Sequence, residues 1–307
     1  MLKIGIVGNN TCIDHYWLMV QDIPNCTISA CIDAYCNLAD IYSFKDYNAF
    51  LNEIDALLVI NPNKNSHFIT EKAIRSQIPC FIDSPFAPSI EEGKNLMNLV
   101  QEAKVGMQIS NPIQYNEALQ SVRPYINYPS FIECIRLSDI NLSTSNTSIV
   151  LSQMIYDIDS ILNIVKSGVK KISATGVMMQ NLNADIVNAR IEFENGCVAN
   201  LMCSRVDVKN LHQIKFYQND SCIFVDYLKF TSKIYELKEN EKENTIDSQA
   251  FCAIKPVIQK NNLNEILHFI QRLQNNSYIK PNKNAITALE IAHYINDKIN
   301  QKNAILV

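Results

Sequence analysis

Asp55–Phe86 reads DALLVINPNKNSHFITEKAIRSQIPCFIDSPF and contains one whole strand–helix–strand crossover. Ala56 to Ile60 is a short unbroken apolar run, which suits a strand buried on both faces of a parallel sheet. Asn61-Pro62-Asn63 closes it. Ser66 is the expected N-cap of the helix that follows, with Phe68, Ile69, Ala73 and Ile74 at its apolar or small positions. Cys80, Phe81 and Ile82 re-enter as a second buried strand that ends at Asp83-Ser84-Pro85. In open α/β sheets ligands bind beyond the carboxyl ends of the strands. Residues 61–67 and 83–85 are therefore expected to line a site.

Length and composition bound the rest. With 307 residues, 47% of them hydrophobic, the chain can bury a large core, and its length favours two domains. The formal net charge is −4 and the basic residues are scattered, so no electrostatic footprint for nucleic acid is visible. No apolar run approaches the ~18 residues of a membrane span, and the expected setting is the cytoplasm. Ten cysteines lie in apolar segments without paired short spacings, which suits reduced core thiols. Cys26, Cys31 and Cys36 form a C-x4-C-x4-C series, but the odd spacing of the first two on an expected strand places them on opposite faces, so no metal site is expected.

Lys3 to Val7 reads as the first strand, with Gly8 where a dinucleotide-binding loop needs its first glycine. In the G-x-G-x-x-G frame from Gly8, Asn10 and Ile13 replace the second and third glycines, and Asp14 adds negative charge nearby. These departures keep the fold but weaken the phosphate cradle. Thr27 to Ile32 is the second strand. Asp33 at its end is placed either to accept from the adenine-ribose hydroxyls, which would favour NAD over NADP, or simply to begin a turn.

The turn Asn61-Pro62-Asn63 followed by His67, and the turn Asp83-Ser84-Pro85 in the same βαβ unit, resemble paired turns of the glucose-fructose oxidoreductase / inositol dehydrogenase (Gfo/Idh/MocA) family of NAD(P)-dependent oxidoreductases. The family commonly carries a TPN…H turn after its third strand and a Glu-Lys-Pro turn after its fourth. The lysine position here is Ser84. The resemblance implies NAD or NADP as cofactor, with Gly8, Asn10, Asp33, Asn61, Pro62, Asn63, His67, Asp83 and Pro85 at the cofactor-binding positions. It covers nearly the whole chain, and implies a Rossmann parallel-sheet domain over 1–122 and an α+β domain with a mainly antiparallel sheet over 123–307.

The residue pattern agrees with that division. Val105–Ser110 reads as a fifth strand and Tyr115–Ile126 as a helix, after which strands dominate: 131–137, 171–178, 186–193, 198–206, 214–218, 222–227 and 232–237. Asn195-Gly196 is a hairpin signal. Two amphipathic helices near 262–274 and 284–300 close the chain. Val150 to Val165 is helical by period, ended by Gly168, and Ser152, Tyr156, Asp159 and Asn163 follow one another along its second face.

On that face the family commonly presents an Asp and, four residues later, a His toward nicotinamide and substrate. Ser152 and Tyr156 occupy those positions, with the usual Asp-Ile-Asp intact as Asp157, Ile158 and Asp159. The segment Asp185–Val206 resembles the UDP-N-acetylglucosamine 3-dehydrogenase-like branch, where a His and an Arg follow the fifth strand. Asn111 and Gln114 stand there, and with Asp159 they are the expected substrate-pocket positions. Redox chemistry at an alcohol needs a group that removes the hydroxyl proton as hydride leaves. The three family positions for it read Ser84, Ser152 and Tyr156, and an ordinary phenol titrates near 10.

Two functions follow. One is a degenerate relative that binds a sugar nucleotide, a cofactor or a partner subunit without turnover. The other is an active NAD(P)-dependent oxidoreductase on a sugar nucleotide or polyol that uses Tyr156 as its acid–base group. The resemblance implies a homodimer packed through the open face of the second sheet, where Phe216, Phe224 and Tyr227 are read as exposed.

Overall fold

The structure is a computed structural model. It describes every residue except 9, 33–40, 61, 63, 140–146, 180–182, 238–250, 255–264 and 306–307, with backbone only for 10–15, 42, 64, 237, 251–254 and 302–305. The chain divides into two compact units: Met1–Asn111 with Leu263–Leu289, and Pro112–Asn262 with Glu290–Val307. The boundary expected at 122 therefore falls inside the second unit. The first unit also takes back a late segment, a return that a linear reading of the sequence does not foresee.

The first unit contains β1 (Leu2–Val7), α1 (Asn10–Gln21), β2 (Cys26–Ile32), β3 (Tyr42–Phe44), α2 (Tyr47–Asn52), β4 (Ala56–Val59), α3 (Lys64–Arg75), β5 (Cys80–Ile82), α4 (Ile90–Ala103) and β6 (Met107–Ile109). Its six strands are ordered β3-β2-β1-β4-β5-β6 and pair in parallel. This is the doubly wound order, in which the chain reverses direction across the sheet between β1 and β4. Strands β4 and β5 are buried throughout, as their unbroken apolar runs require.

Local chemistry starts the helices. Asp46 caps α2 by accepting from Ala49 N–H at 2.7 Å. Ser89 caps α4 by accepting from Glu92 N–H at 3.2 Å, and its hydroxyl donates to the Glu92 carboxylate at 2.8 Å. Helix α3 starts at Lys64, so Ser66 lies buried in its first turn rather than at the expected cap, and the Ser66 carbonyl accepts from Thr70 Oγ at 2.7 Å. The short strand β3 was not expected, because three residues carry too little period to register.

Between β1 and β2 the register slips by one residue at Ser29. That slip corrects the cysteine reading: Cys26 and Cys31, an odd number apart, join the same buried cluster with Ile4, Ile6 and Ile28. They are core thiols, and burial pushes the Cys26 thiol up to about 11.

The second unit opens with a short 3₁₀ turn, Pro112–Tyr115, then α5 (Glu117–Val122) and another 3₁₀ turn, Arg123–Tyr125, in place of the continuous helix expected over 115–126. Strand β7 (Phe131–Asp139) is followed by a π-helical turn, Val150–Met154, which runs into α6 (Ile155–Val165). Lys166, in the left-handed region with φ 51°, ends α6 two residues before the expected Gly168.

Then come β8 (Val169–Val177), β9 (Ile186–Phe193), β10 (Val198–Asp207), β11 (Leu211–Tyr217), β12 (Ser221–Asp226), β13 (Thr231–Leu237) and β14 (Phe251–Ile254). The sheet order is β14-β13-β12-β11-β7-β10-β9-β8, and among the described residues only β7 and β10 pair in parallel. Helix α7 (Glu265–Gln274) belongs to the first unit, and α8 (Asn284–Ile305) contributes to both. Phe269 of α7 meets Phe81 of β5 edge-on, with ring centroids 5.7 Å apart.

Strand alternation sorts the two faces of the larger sheet. Lys215 pairs with Phe224 and Phe216 with Ile223, so the two phenylalanines point to opposite faces. Of the three aromatics expected on the open face, only Phe224 is there. Phe216 and Tyr227 are buried: Phe216 alternates with His212 and Ile214 onto the covered face of β11.

Candidate functional site

In the first unit the candidate site is the row of carboxyl ends beside the switch point. Gly8 follows β1 directly, and a Cβ there would lie 3.0 Å from the Ile60 carbonyl oxygen and 3.2 Å from Ile60 Cβ. Only glycine allows this approach without a shift of the β4 end. Helix α1 begins two residues later with no acidic residue in its first turn, so the positive end of its dipole is uncancelled. Asn10 is its first residue, and Asp14 falls beyond that turn.

This backbone frame fits a pyrophosphate. Asp33, Asn61 and Asn63 lie outside the described residues, as do the side chains of Asn10, Ile13 and Asp14. Pro62 is half-buried. His67 stands in the early part of α3 with Nδ1 buried and without a hydrogen-bond partner among the described residues, and with Nε2 3.7 Å from Glu71.

Further along the same edge, β5 and β6 end in a continuous polar network. The Asp83 carboxylate accepts from Ser84 N–H at 2.9 Å, and Ser84 Oγ donates to the Ser110 carbonyl at 3.1 Å. The Ser84–Pro85 peptide is cis. Ser110 Oγ and Asn111 N–H both donate to the carboxylate of Glu265, at 2.7 and 3.0 Å. Burial drives the Glu265 carboxyl up to about 7, against the pull of those two donors, and nearby Asp83 adds to the rise. Asn111, an expected substrate position, thus has its backbone N–H directed at Glu265. Glu265 itself was not singled out, since an acid opening an amphipathic helix reads as an ordinary partner of the dipole.

The second unit holds the helix expected to carry chemistry. Ile155 N–H reaches back five residues to the Val150 carbonyl, which makes the π turn, and Ser152 lies within it. The regular four-residue step assumed between Ser152 and Tyr156 is interrupted there. Ser152 Oγ donates to the Ser148 carbonyl at 2.9 Å, and Tyr156 is half-buried. Asp159 is buried and accepts from Asn163 Nδ2 at 3.1 Å, while Gln114 Oε1 accepts from Arg123 Nη1 at 2.7 Å. Both residues make local ties within this unit.

Asp157 has a different role from its neighbours. Its two carboxylate oxygens accept from Arg136 Nε at 2.9 Å and Nη2 at 3.1 Å, and His212 Nε2 lies 2.7 Å from Oδ1. Burial works to raise this carboxyl, but Arg136 and His212 outweigh it and hold it at about 2. Cys134 completes a cluster of three residue types that can ligate metals. A guanidinium already neutralises the carboxylate, and burial raises the Cys134 thiol far above its ordinary range, so the cluster is an ion pair rather than a cation site.

Its members were visible in principle. Ile132, Cys134 and Arg136 alternate onto one face of β7, and a charge in that series calls for a buried acid. A second buried pair, Arg205 and Asp185, lies 2.8 Å apart, and Arg205 also donates to the Thr147 carbonyl at 2.7 Å, ahead of the π turn.

Residues 2–110 match the family described as oxidoreductase family, NAD-binding Rossmann fold (GFO_IDH_MocA). Over 194 residues the chain is 27% identical to UDP-N-acetylglucosamine 3-dehydrogenase from Acidithiobacillus ferrooxidans, a stretch covering 63% of this chain and 62% of that protein's length. The solved structure of that enzyme superimposes with a TM-score of 0.85 at 20% identity, covering 98% of each chain. An apo scyllo-inositol dehydrogenase from Lactobacillus casei has a TM-score of 0.77 at 15% identity, covering 98% of this chain and 97% of its own. Both superpositions concern the fold.

Proposed function

We propose, from the premise that this chain belongs through residues 2–110 to the GFO_IDH_MocA oxidoreductase family, that it binds a sugar nucleotide at the carboxyl edge of its parallel sheet without turning it over. The observation that carries this reading is the state of two family acid–base positions. Ser84 and Ser152 each direct a hydroxyl at a backbone carbonyl. Neither is a group that accepts a proton near neutrality, and general acid–base groups supply roughly 10²- to 10⁴-fold. Tyr156, the third position, is a phenol, and an ordinary phenol titrates near 10.

The family binds NAD, and Gly8 with the amino end of α1 would hold the pyrophosphate. When bound, the nicotinamide supplies the hydride chemistry. Asn10 and Ile13 at glycine positions make that binding weak in this chain. The chain works as a cytoplasmic homodimer packed through the open face of its larger sheet, where Phe131, Ile135, Leu137, Leu211 and Phe224 are half-buried.

Calorimetric titration tests the reading. UDP-N-acetylglucosamine is expected to bind, NAD to bind weakly, and their mixture to give no reduced nicotinamide. Absence of any heat with the sugar nucleotide would remove the proposal.

A further inference from the structure

Three polar bonds join the first residue of α7 to the carboxyl end of β6. Ser110 Oγ and Asn111 N–H donate to the two carboxylate oxygens of Glu265, and Gln108 Nε2 donates to the Glu265 carbonyl at 3.2 Å. Ser110 is itself the link to the neighbouring strand: its N–H donates to the Ile82 carbonyl at 2.7 Å and its own carbonyl accepts from Ser84 Oγ. The Glu265 carboxyl is thus one hydrogen bond from the residue that holds the Asp83–Ser84–Pro85 turn. It is nine-tenths buried, and among the described residues no cation pairs with it. The charge that faces it comes from Asp83, at the end of β5.

We infer that Glu265 is a positioning residue for this edge, holding Ser110, Asn111 and through them the Ser84 turn in one way when its carboxyl is charged and in another when it is neutral. In the charged state both oxygens accept, and hydrogen bonds to an ionised acceptor are roughly twice as strong as neutral ones. On taking a proton from solvent, Oε1 becomes the donor and Ser110 Oγ the acceptor, so the Ser110 hydroxyl turns away. Asn111 N–H is then left with a neutral carbonyl. Burial places this change near neutral pH. On the reading that a sugar nucleotide lies against this edge, its phosphates add negative charge beside Asp83 and Glu265, and binding takes up a proton.

Amide chemical shifts of Ser84 and Asn111, followed by NMR from about pH 5 to 9, test this without a ligand. In the wild type both amides should titrate together with a midpoint near 7, and in Glu265→Gln they should stay flat. Ser110→Ala removes a donor that favours the charged form and should move the midpoint up, and Asp83→Asn should move it down. Flat wild-type curves overturn the inference, as does a midpoint that ignores both Ser110→Ala and Asp83→Asn. Those two variants decide the matter even if Glu265→Gln does not fold. UDP-N-acetylglucosamine should also bind the wild type about tenfold more tightly near pH 6 than near pH 8, with no such change in Glu265→Gln. If the sugar nucleotide binds at neither pH, the proposed function fails while the amide titrations still judge Glu265.

Discussion

Two buried carboxyls in this molecule are driven in opposite directions. Asp157 in the second unit and Glu265 in the first are each more than nine-tenths buried, yet one is held at about 2 and the other pushed up to about 7. Burial opposes ionisation in both. What differs is the partner: Asp157 faces the Arg136 guanidinium and His212, whereas Glu265 faces a hydroxyl, an amide and the carboxylate of Asp83. Desolvation alone cannot set the charge of a buried acid; the sign of its nearest charged neighbour does. The Asp157 carboxylate is accordingly ionised throughout the neutral range, while the Glu265 edge sits between two states.

The largest effect should come from breaking the ion pair. Arg136→Met leaves Asp157 buried without its cation and should lower stability by about 3–5 kcal/mol in urea denaturation, with part recovered in the double variant Arg136→Met, Asp157→Leu. A loss under about 1 kcal/mol would mean that the pair is solvated and the contrast with Glu265 misdrawn.

The next effect separates the two acids by pH. Glu265 holds its proton to higher pH in the folded state than its ordinary 4.5, so its contribution to stability is complete below that value and is lost as pH rises through about 7. The loss should amount to about 3 kcal/mol, and Glu265→Gln should abolish the slope. Asp157 behaves oppositely. Its contribution of about 2 kcal/mol is present above the ordinary 3.8 and disappears as pH falls toward 2. Acid unfolding of Asp157→Asn should therefore show a shallower low-pH limb, and parallel slopes for the two variants would erase the comparison.

The smallest effects belong to the serines. Ser84→Ala and Ser152→Ala each remove one hydroxyl-to-carbonyl bond and should cost about 0.5–1.5 kcal/mol, and Ser152→Ala, remote from Glu265, should leave both pH limbs unchanged. A change of slope in Ser152→Ala would tie its hydroxyl to a titrating group.

Much of the fold was legible because parallel strands buried on both faces leave unbroken apolar runs, as at Ala56–Val59 and Cys80–Ile82. Alternation likewise located most of the larger sheet. Failures occurred where one residue changes the count. The slip at Ser29 brought Cys26 and Cys31 together, and the π turn broke the even spacing of Ser152 and Tyr156. The site was legible only where it is local. The Asp83–Ser84–Pro85 turn lies within one crossover, whereas Glu265 reaches Ser110 across 155 positions of chain, a separation that no window of sequence spans.

A binding protein without turnover requires that the fold be retained while Ser84, Ser152 and Tyr156 transfer no protons. The most direct test is NAD-linked oxidation of UDP-N-acetylglucosamine, followed by the appearance of reduced nicotinamide, in the wild type, in Tyr156→Phe and in the joint variant Ser84→Lys, Ser152→Asp, Tyr156→His with Asn10→Gly. Groups that act as a unit fail together, so single restorations should not suffice. No turnover is expected for the wild type or Tyr156→Phe, and measurable turnover for the joint variant. Turnover by the wild type that Tyr156→Phe abolishes would contradict that expectation and make Tyr156 the acid–base group.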